Sequence, residues 1–226
     1  MTSQADDALF ALSPLDGRYR SRIALLRKLF SEYGLIRARV RVELAWFRAL
    51  AAAPDIPECP LLSPVAAREL DAIEQNFDTA AAVRVKAIEA RTNHDVKAVE
   101  YYLKECFTAV PELARAGEFL HFACTSEDIN NLAWGLILDE ARRNAVLPAL
   151  RRIADALADL AMTEAATAML ARTHGQPATP TTLGKEVAVF AARLDRACRR
   201  FESVRLAGKL NGATGNFNAH HVAYPT

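Results

Sequence analysis

The stretch R-T-H-G-Q-P-A-T-P, Arg172 to Pro180, decides how this chain is read. Pro177 and Pro180 lack a backbone N–H and fix φ, so no helix runs through it. Long apolar seams at helical spacing lie on both sides. Val146, Leu150, Ile153, Leu157 and Leu160 form one, and Leu183, Val187, Phe190, Leu194, Ala197 and Phe201 form the other. Such seams belong to long helices packing near-parallel in a bundle, and they read first as core. Arg172–Pro180 is then expected to be an ordered turn between two helices. It would hold His174, a side chain of the type that titrates near neutrality, on a rigid corner. A turn with a surface histidine is the plainer account of the same residues.

Alanine, leucine, arginine and glutamate dominate the rest, and all are strong helix formers. Ser63 followed by Pro64 reads as an N-cap with proline at the first helical position, opening a helix toward Phe77. Asp78 caps the next, to about Glu89. A third is expected from Asp95 to Phe107, and Pro111 starts a short one. Pro148 falls inside the first seam and predicts a kink or a break. No period-2 strand run stands out, and no internal repeat. The expectation is an all-α protein, with an N-terminal helical domain over 1–117 and the first part of a long-helix bundle over 118–226. The glycine- and asparagine-rich end, G-A-T-G-N-F-N-A-H-H-V-A-Y-P-T, reads as a loop interrupted before its next element.

Composition sets outer limits. The 226 residues are 51% hydrophobic and 24% charged, which is globular composition. Lys and Arg number 28 against 27 Asp and Glu. That balance argues against a dedicated nucleic-acid binder. Cys59, Cys106, Cys124 and Cys198 are widely spaced, without a C-x-x-C, and read as reduced thiols of a cytoplasmic protein. The start, M-T-S-Q-A-D-D, shows no signal-peptide pattern. The apolar run from Leu132 to Leu138 is too short to span a bilayer, so no membrane partner is expected.

Three further polar clusters accompany the first. Thr125 and Ser126 precede a helix with Glu127 and Asp128 in its first turn, and Thr125 with Asp128 has capping-box spacing. Capping explains them fully. Free N–H groups and two hydroxyls at a helix start also suit a carboxylate or phosphate. Asn130 and Asn131 follow one turn on. Asn93 or Thr92 is expected to cap the helix from Asp95, beside His94, Asp95 and Lys97. Ser13 to Tyr19, S-P-L-D-G-R-Y, is a turn presenting Arg18 and Tyr19. His121, between Phe119 and Phe122, reads as a core or interface histidine; His220 and His221 have no independent case. No spacing matches a metal site, a phosphate loop or a nucleophile elbow.

Taken in order, S-P-L-D-G-R-Y, F-S-E-Y-G-L, R-T-N-H-D-V-K-A-V-E-Y, E-F-L-H-F-A-C-T-S-E-D-I-N-N and R-T-H-G-Q-P-A-T-P resemble the adenylosuccinate lyase family of the fumarase/aspartase superfamily. G-K-L-N-G-A-T-G-N-F-N-A-H resembles a further segment of it. N-H-D-V-K with T-S-E-D-I-N-N points there and away from argininosuccinate lyase, fumarase or aspartase. The resemblance implies reversible β-elimination of fumarate from succinyl-AMP, and from the succinyl-carboxamide ribonucleotide of purine biosynthesis. It implies no metal and no organic cofactor. His174 would be the general acid, and Thr125 and Ser126 would hold a succinyl carboxylate. Asn93, His94, Asp95, Arg18 and Tyr19 would line the nucleotide side, with Thr173 and Gln176 flanking the succinyl group.

Members of that family are longer homotetrameric chains, whose active sites draw on several subunits. The glycine/serine-rich loop carrying their serine base has no counterpart in this sequence. The chain therefore reads as an N-terminal portion of such an enzyme, inactive by itself. The alternatives are another superfamily lyase, such as argininosuccinate lyase, or a non-catalytic helical assembly fragment.

Overall fold

The structure, a computed structural model, describes residues 11–225. The N-terminal stretch read above for a signal peptide lies outside the described residues, as does Thr226. Contacts divide the chain into two units. One joins the residues up to Leu138 with those from Ala207 onward; the other runs from Asp139 to Leu206. The sequence reading had drawn its line after residue 117.

The first unit opens with α1 (Ala24–Phe30) and α2 (Glu32–Ala51), followed by α3 (Pro64–Gln75), α4 (Thr79–Thr92), α5 (Asp95–Phe107) and α6 (Pro111–Ala116). All of these starts but that of α1 have a local cause. Ser31, Ser63 and Asp78 accept hydrogen bonds from the N–H groups of Gly34, Ala66 and Ala81. These bonds satisfy donors that a helix start leaves open. Pro64 and Pro111 occupy first-turn positions, where the missing N–H costs nothing. The start of α5 is capped differently from the expectation. His94 is the cap residue, its Nδ1 accepting from Lys97 N–H at 3.2 Å. Asn93 instead ends α4 in a left-handed conformation, φ 51°, a role that asparagine tolerates. Ile36, Val40, Leu44, Phe47 and Leu50 form the buried stripe of α2. They share one core with Leu70, Val85, Ile88, Val99, Leu103 and Phe107.

The helix α7 (Ser126–Ala141) crosses the unit boundary. A π-helical turn, Arg142–Val146, follows, and then α8 (Leu147–Thr163), with Pro148 in its first turn. The break expected at Pro148 thus takes the form of a widened turn just upstream. Proline has no N–H for the α-helical ladder, and the backbone there shifts register.

After α8 the structure departs from the sequence reading. Ala168–Thr173 (β1) and Gln176–Thr182 (β2) pair antiparallel, Ala168 opposite Thr182 and Thr173 opposite Gln176. His174 and Gly175 form the two-residue turn, with φ of 51° and 76°. Two successive positive-φ residues match the twist of a tight hairpin. Pro177 and Pro180 forbid a helix but not a two-stranded ribbon, where every strand is an edge. The all-α class stands with this hairpin added.

The helix α9 (Leu183–Ser203) starts at Thr182, whose Oγ1 accepts from Lys185 N–H. It packs antiparallel on α8. Gly184 N–H donates to the Glu164 carbonyl at 2.9 Å, while Arg151 pairs with Glu202 at 2.6 Å near the other end. The seams are only partly buried by this pairing. Val146, Leu150, Leu157, Val187 and Leu194 are half-buried, yet Ile153, Leu160, Leu183, Phe190 and Phe201 remain exposed. Their reading as core is corrected accordingly: two antiparallel helices cover one flank of each seam, and four-helix packing is needed to cover both.

From Ala207 the chain rejoins the first unit. It forms turns and a short helix, α10 (Asn218–Ala223), where the sequence suggested only a loop.

Gly184 sets the approach of α9 to α8. A Cβ there would stand 2.3 Å from the Ala161 carbonyl oxygen and 2.6 Å from Ala165 Cα. Backbone cannot give way as a side-chain tip does. Gly184→Ala is expected to destabilise the hairpin-bearing unit by about 1–3 kcal/mol. Thermal unfolding followed by circular dichroism checks this, and an unchanged midpoint would contradict the packing described.

Candidate active site

The start of α7 is built around Asp128, fully buried in the first turn. Its Oδ2 accepts from Thr125 N–H at 2.9 Å and Gly212 N–H at 3.1 Å. Its Oδ1 accepts from Asn211 N–H at 3.1 Å and from the Lys209 ammonium. The first of these bonds is half of the capping box expected from the spacing of Thr125 and Asp128. The other three tie the segment 209–212 to the helix start. Burial works against a charge on Asp128. The ammonium and the N–H donors outweigh it and hold the carboxyl below the usual range. Asn131, one turn on, clamps the same segment: its amide donates to the Lys209 carbonyl and accepts from Lys209 N–H. Asn131 therefore braces this loop, and Asn130 binds Arg39.

Beside this helix start lies the start of α5. Because His94 Nδ1 accepts from Lys97 N–H, the proton of the neutral ring sits on Nε2. Nε2 faces Ser126 Oγ at 3.5 Å. The Ser126 hydroxyl proton is left free to point elsewhere. Asp95 is held by Arg39, Nη2 to Oδ2 at 2.6 Å, and Arg39 Nε reaches Asn130 Oδ1 at 2.9 Å. Burial raises the Asp95 carboxyl, but the Arg39 charge and the Val96 N–H lower it further, with a net result below the ordinary value.

Beneath these groups, Glu43 is fully buried and meets His121 Nδ1 at 2.7 Å. Burial alone would favour the neutral imidazole. The Glu43 carboxylate outweighs it and holds the His121 pKa above its usual value. His121 is thus a packed, paired histidine, in line with its sequence reading. Burial, with the nearby Glu43 and Asp128 carboxylates, pushes the Cys124 thiol up to about 12. Cys124 therefore stays protonated and is no nucleophile at neutral pH.

The structure thus brings His94, Asp95 and Ser126 together, with Thr125 adjoining. Asn93 is the turn residue before them. Arg18 and Tyr19 belong to the same unit, where the guanidinium lies 5.6 Å from the Tyr19 ring centroid and both side chains are exposed. Thr173, His174 and Gln176 stand on the β-hairpin of the other unit, His174 exposed at its turn. The sequence reading missed Arg39, Glu43, Lys209 and Asn211. For the first two a signal existed: positions 36, 39, 40, 43, 44 and 47 form one helical stripe, which places both charges among apolar neighbours.

Comparison with known proteins gives three findings. A family model described as lyase matches residues 17–226. The adenylosuccinate lyase of Vibrio cholerae is 52% identical over 219 residues, 97% of this chain and 48% of the relative. That of Escherichia coli strain K12 is 51% identical over 218 residues, 96% of this chain and 48% of the relative. The chain spans about half the length of the curated relatives it matches. Among solved structures, fumarate lyase from Mesorhizobium sp. BNC1 superposes with a TM-score of 0.69 at 25% identity, covering 89% of this chain and 45% of that one. The 3-carboxy-cis,cis-muconate lactonizing enzyme of Pseudomonas putida gives 0.62 at 25% identity, over 89% and 44%.

Removing the Asp128 carboxylate strands a lysine and three backbone donors. Asp128→Ala is expected to cost about 1–3 kcal/mol at pH 7, the range for leaving buried donors without their acceptor. The folded carboxyl is held below its unfolded value, so its contribution is complete above about pH 4. It is lost as pH falls through the lower folded value. Urea unfolding should show the gap between wild type and variant narrowing from pH 7 to pH 3; a constant gap would contradict the ionic account.

Proposed function

The chain belongs to the lyase family of the fumarase/aspartase superfamily, and we propose that it supplies the proton-donating and carboxylate-binding side of an adenylosuccinate lyase. The reaction would release fumarate from succinyl-AMP to leave AMP, and from the succinyl-carboxamide ribonucleotide likewise. Identity near one half to adenylosuccinate lyases, over nearly the whole of this chain, carries the reading.

Elementary chemistry assigns the work. Breaking a C–N bond leaves an electron pair on nitrogen, and an acid must deliver a proton there. His174 is the candidate, exposed at a turn whose two positive-φ residues fix its position. Loss of the β-proton gathers charge on the neighbouring carboxylate, which needs donors already in place. The α7 start supplies backbone N–H groups and the hydroxyls of Thr125 and Ser126. Ser126 is suited to this because His94 Nε2–H serves its oxygen and leaves its proton available. Thr173 and Gln176 would flank the succinyl group. Asn93, His94, Asp95, Arg18 and Tyr19 would face the nucleotide. Arg39 holds the Asp95 carboxylate in its charged form, ready to accept hydrogen bonds from hydroxyl or amino groups.

Assembly follows the same logic. The exposed faces of α8 and α9 require partner helices, and copies of this chain in a homotetramer would supply them. A cytoplasmic location fits a nucleotide substrate and four free thiols. No helix among the described residues is long and apolar enough to cross a membrane.

In active enzyme containing this sequence, His174→Gln is expected to lower kcat and kcat/KM together by on the order of 100-fold or more. Glutamine keeps a donor of similar size but cannot give up a proton to the departing nitrogen. Fumarate release from succinyl-AMP, followed by ultraviolet absorbance, checks this, with argininosuccinate as the competing substrate. Near-normal kcat with a large rise in KM would make His174 a binding residue.

A further inference from the structure

A cavity lies in the first unit, lined by none of the residues assigned above to the candidate active site. It has a volume of about 430 Å³ and is walled by Trp46, Ile56, Phe122, Phe217 and Tyr224, with His220 among them. That volume is within the range of small-molecule sites, as is the mixture of aromatic walls with few polar groups. Both ring nitrogens of His220, Nδ1 and Nε2, are buried without a hydrogen-bond partner. The ring meets Trp46 and Phe217 edge-on, at centroid distances of 6.1 and 5.4 Å. Its neighbours' polar atoms are already used: Trp46 Nε1 donates to the Phe122 carbonyl, and Tyr224 OH donates to Glu58. His221, which also lines the cavity, is exposed, so His220 supplies the buried unpartnered nitrogens.

We propose that this cavity binds an uncharged, flat nitrogen heterocycle of the free-nucleobase class, stacked on the aromatic walls and hydrogen-bonded in plane to His220. Three observations select that chemistry. Aromatic walls offer faces and edges to a flat ring and nothing specific to a flexible chain. A purely hydrocarbon ligand would leave the His220 nitrogens unpaired, whereas a ring nitrogen or amino group meets them. The described residues that line the cavity include no lysine or arginine, only His220 and the exposed His221, so an uncharged ring suits it better than a phosphate or carboxylate. The site therefore differs in ligand class from the nucleotide-binding groups of the proposed reaction and does not depend on that reading.

The test uses this chain and two probes: adenine, uncharged, and orotate, a flat heterocycle carrying a carboxylate. Adenine should quench tryptophan fluorescence saturably, and orotate should not. His220→Phe keeps the ring and removes its nitrogens, so adenine should bind it at least tenfold more weakly. Tyr19→Ala, on the nucleotide side of the candidate active site, should bind adenine as wild type does, and a loss of adenine binding in that variant equal to the loss in His220→Phe would overturn the proposal. Absence of saturable adenine binding up to its solubility limit would overturn the proposal. So would equal affinity in His220→Phe, or equal binding of orotate. Should His220→Phe fail to fold by circular dichroism, nuclear magnetic resonance of the histidine rings in wild type decides. Adenine must then shift the His220 signals, and unchanged signals overturn the proposal.

Discussion

The first unit depends on the Asp128 carboxylate. It is fully buried, and four donors from two separate stretches of chain converge on it. A charge in that position is tolerable only when every lone pair is used. That requirement fixes the start of α7 and the segment 209–212 to each other at once. Gly212, at φ 80°, lets the backbone turn so that its N–H points at the carboxylate. Thr125 and Ser126 are therefore placed by a charge that takes no part in the proposed chemistry.

The charges on α2 are also paired, though less completely. Arg39 is nearly buried and divides its donors between Asp95 and Asn130, which joins the start of α5 to α7. Glu43, one turn along, pairs with His121, whose own backbone is strained at φ 58°. These pairs add little net stability once desolvation is counted. What they contribute is position: Arg39 is fixed by two partners, and Glu43 by His121 at one oxygen, its other oxygen being buried without a partner. The approach of His94 to Ser126 follows from that scaffold.

Helix starts were legible because their causes are local: a serine, an aspartate or a proline acts within one turn. Ser63, Asp78 and Pro111 behaved as read, and the span of α5 matched. His94 was misread because histidine is an uncommon cap, and the adjoining asparagine was the stronger candidate by type. The β-hairpin was hidden by its prolines, which announce the end of a helix without saying what replaces it. Arg39 escaped notice for a different reason. Its place in the apolar stripe of α2 was readable, but which of the neighbouring arginines is buried is set by partners 56 and 91 residues away. Asp128 was recognised as a cap, while Lys209 and Asn211, its partners 81 and 83 residues away, carry no local mark of that pairing.

The proposed reaction requires that, in the assembled enzyme, one substrate meet two kinds of group: helix-start donors near His94 and Ser126, and a histidine at a hairpin turn supplied by some copy of the chain. Nuclear magnetic resonance of selectively labelled histidine rings, in active enzyme containing this sequence, tests it most directly. Titration with succinyl-AMP is predicted to shift the ring signals of His94 and His174 together, with one common saturation curve. A shift of His94 alone, with His174 unmoved at saturation, would contradict the assignment of His174 as the group that protonates the leaving nitrogen.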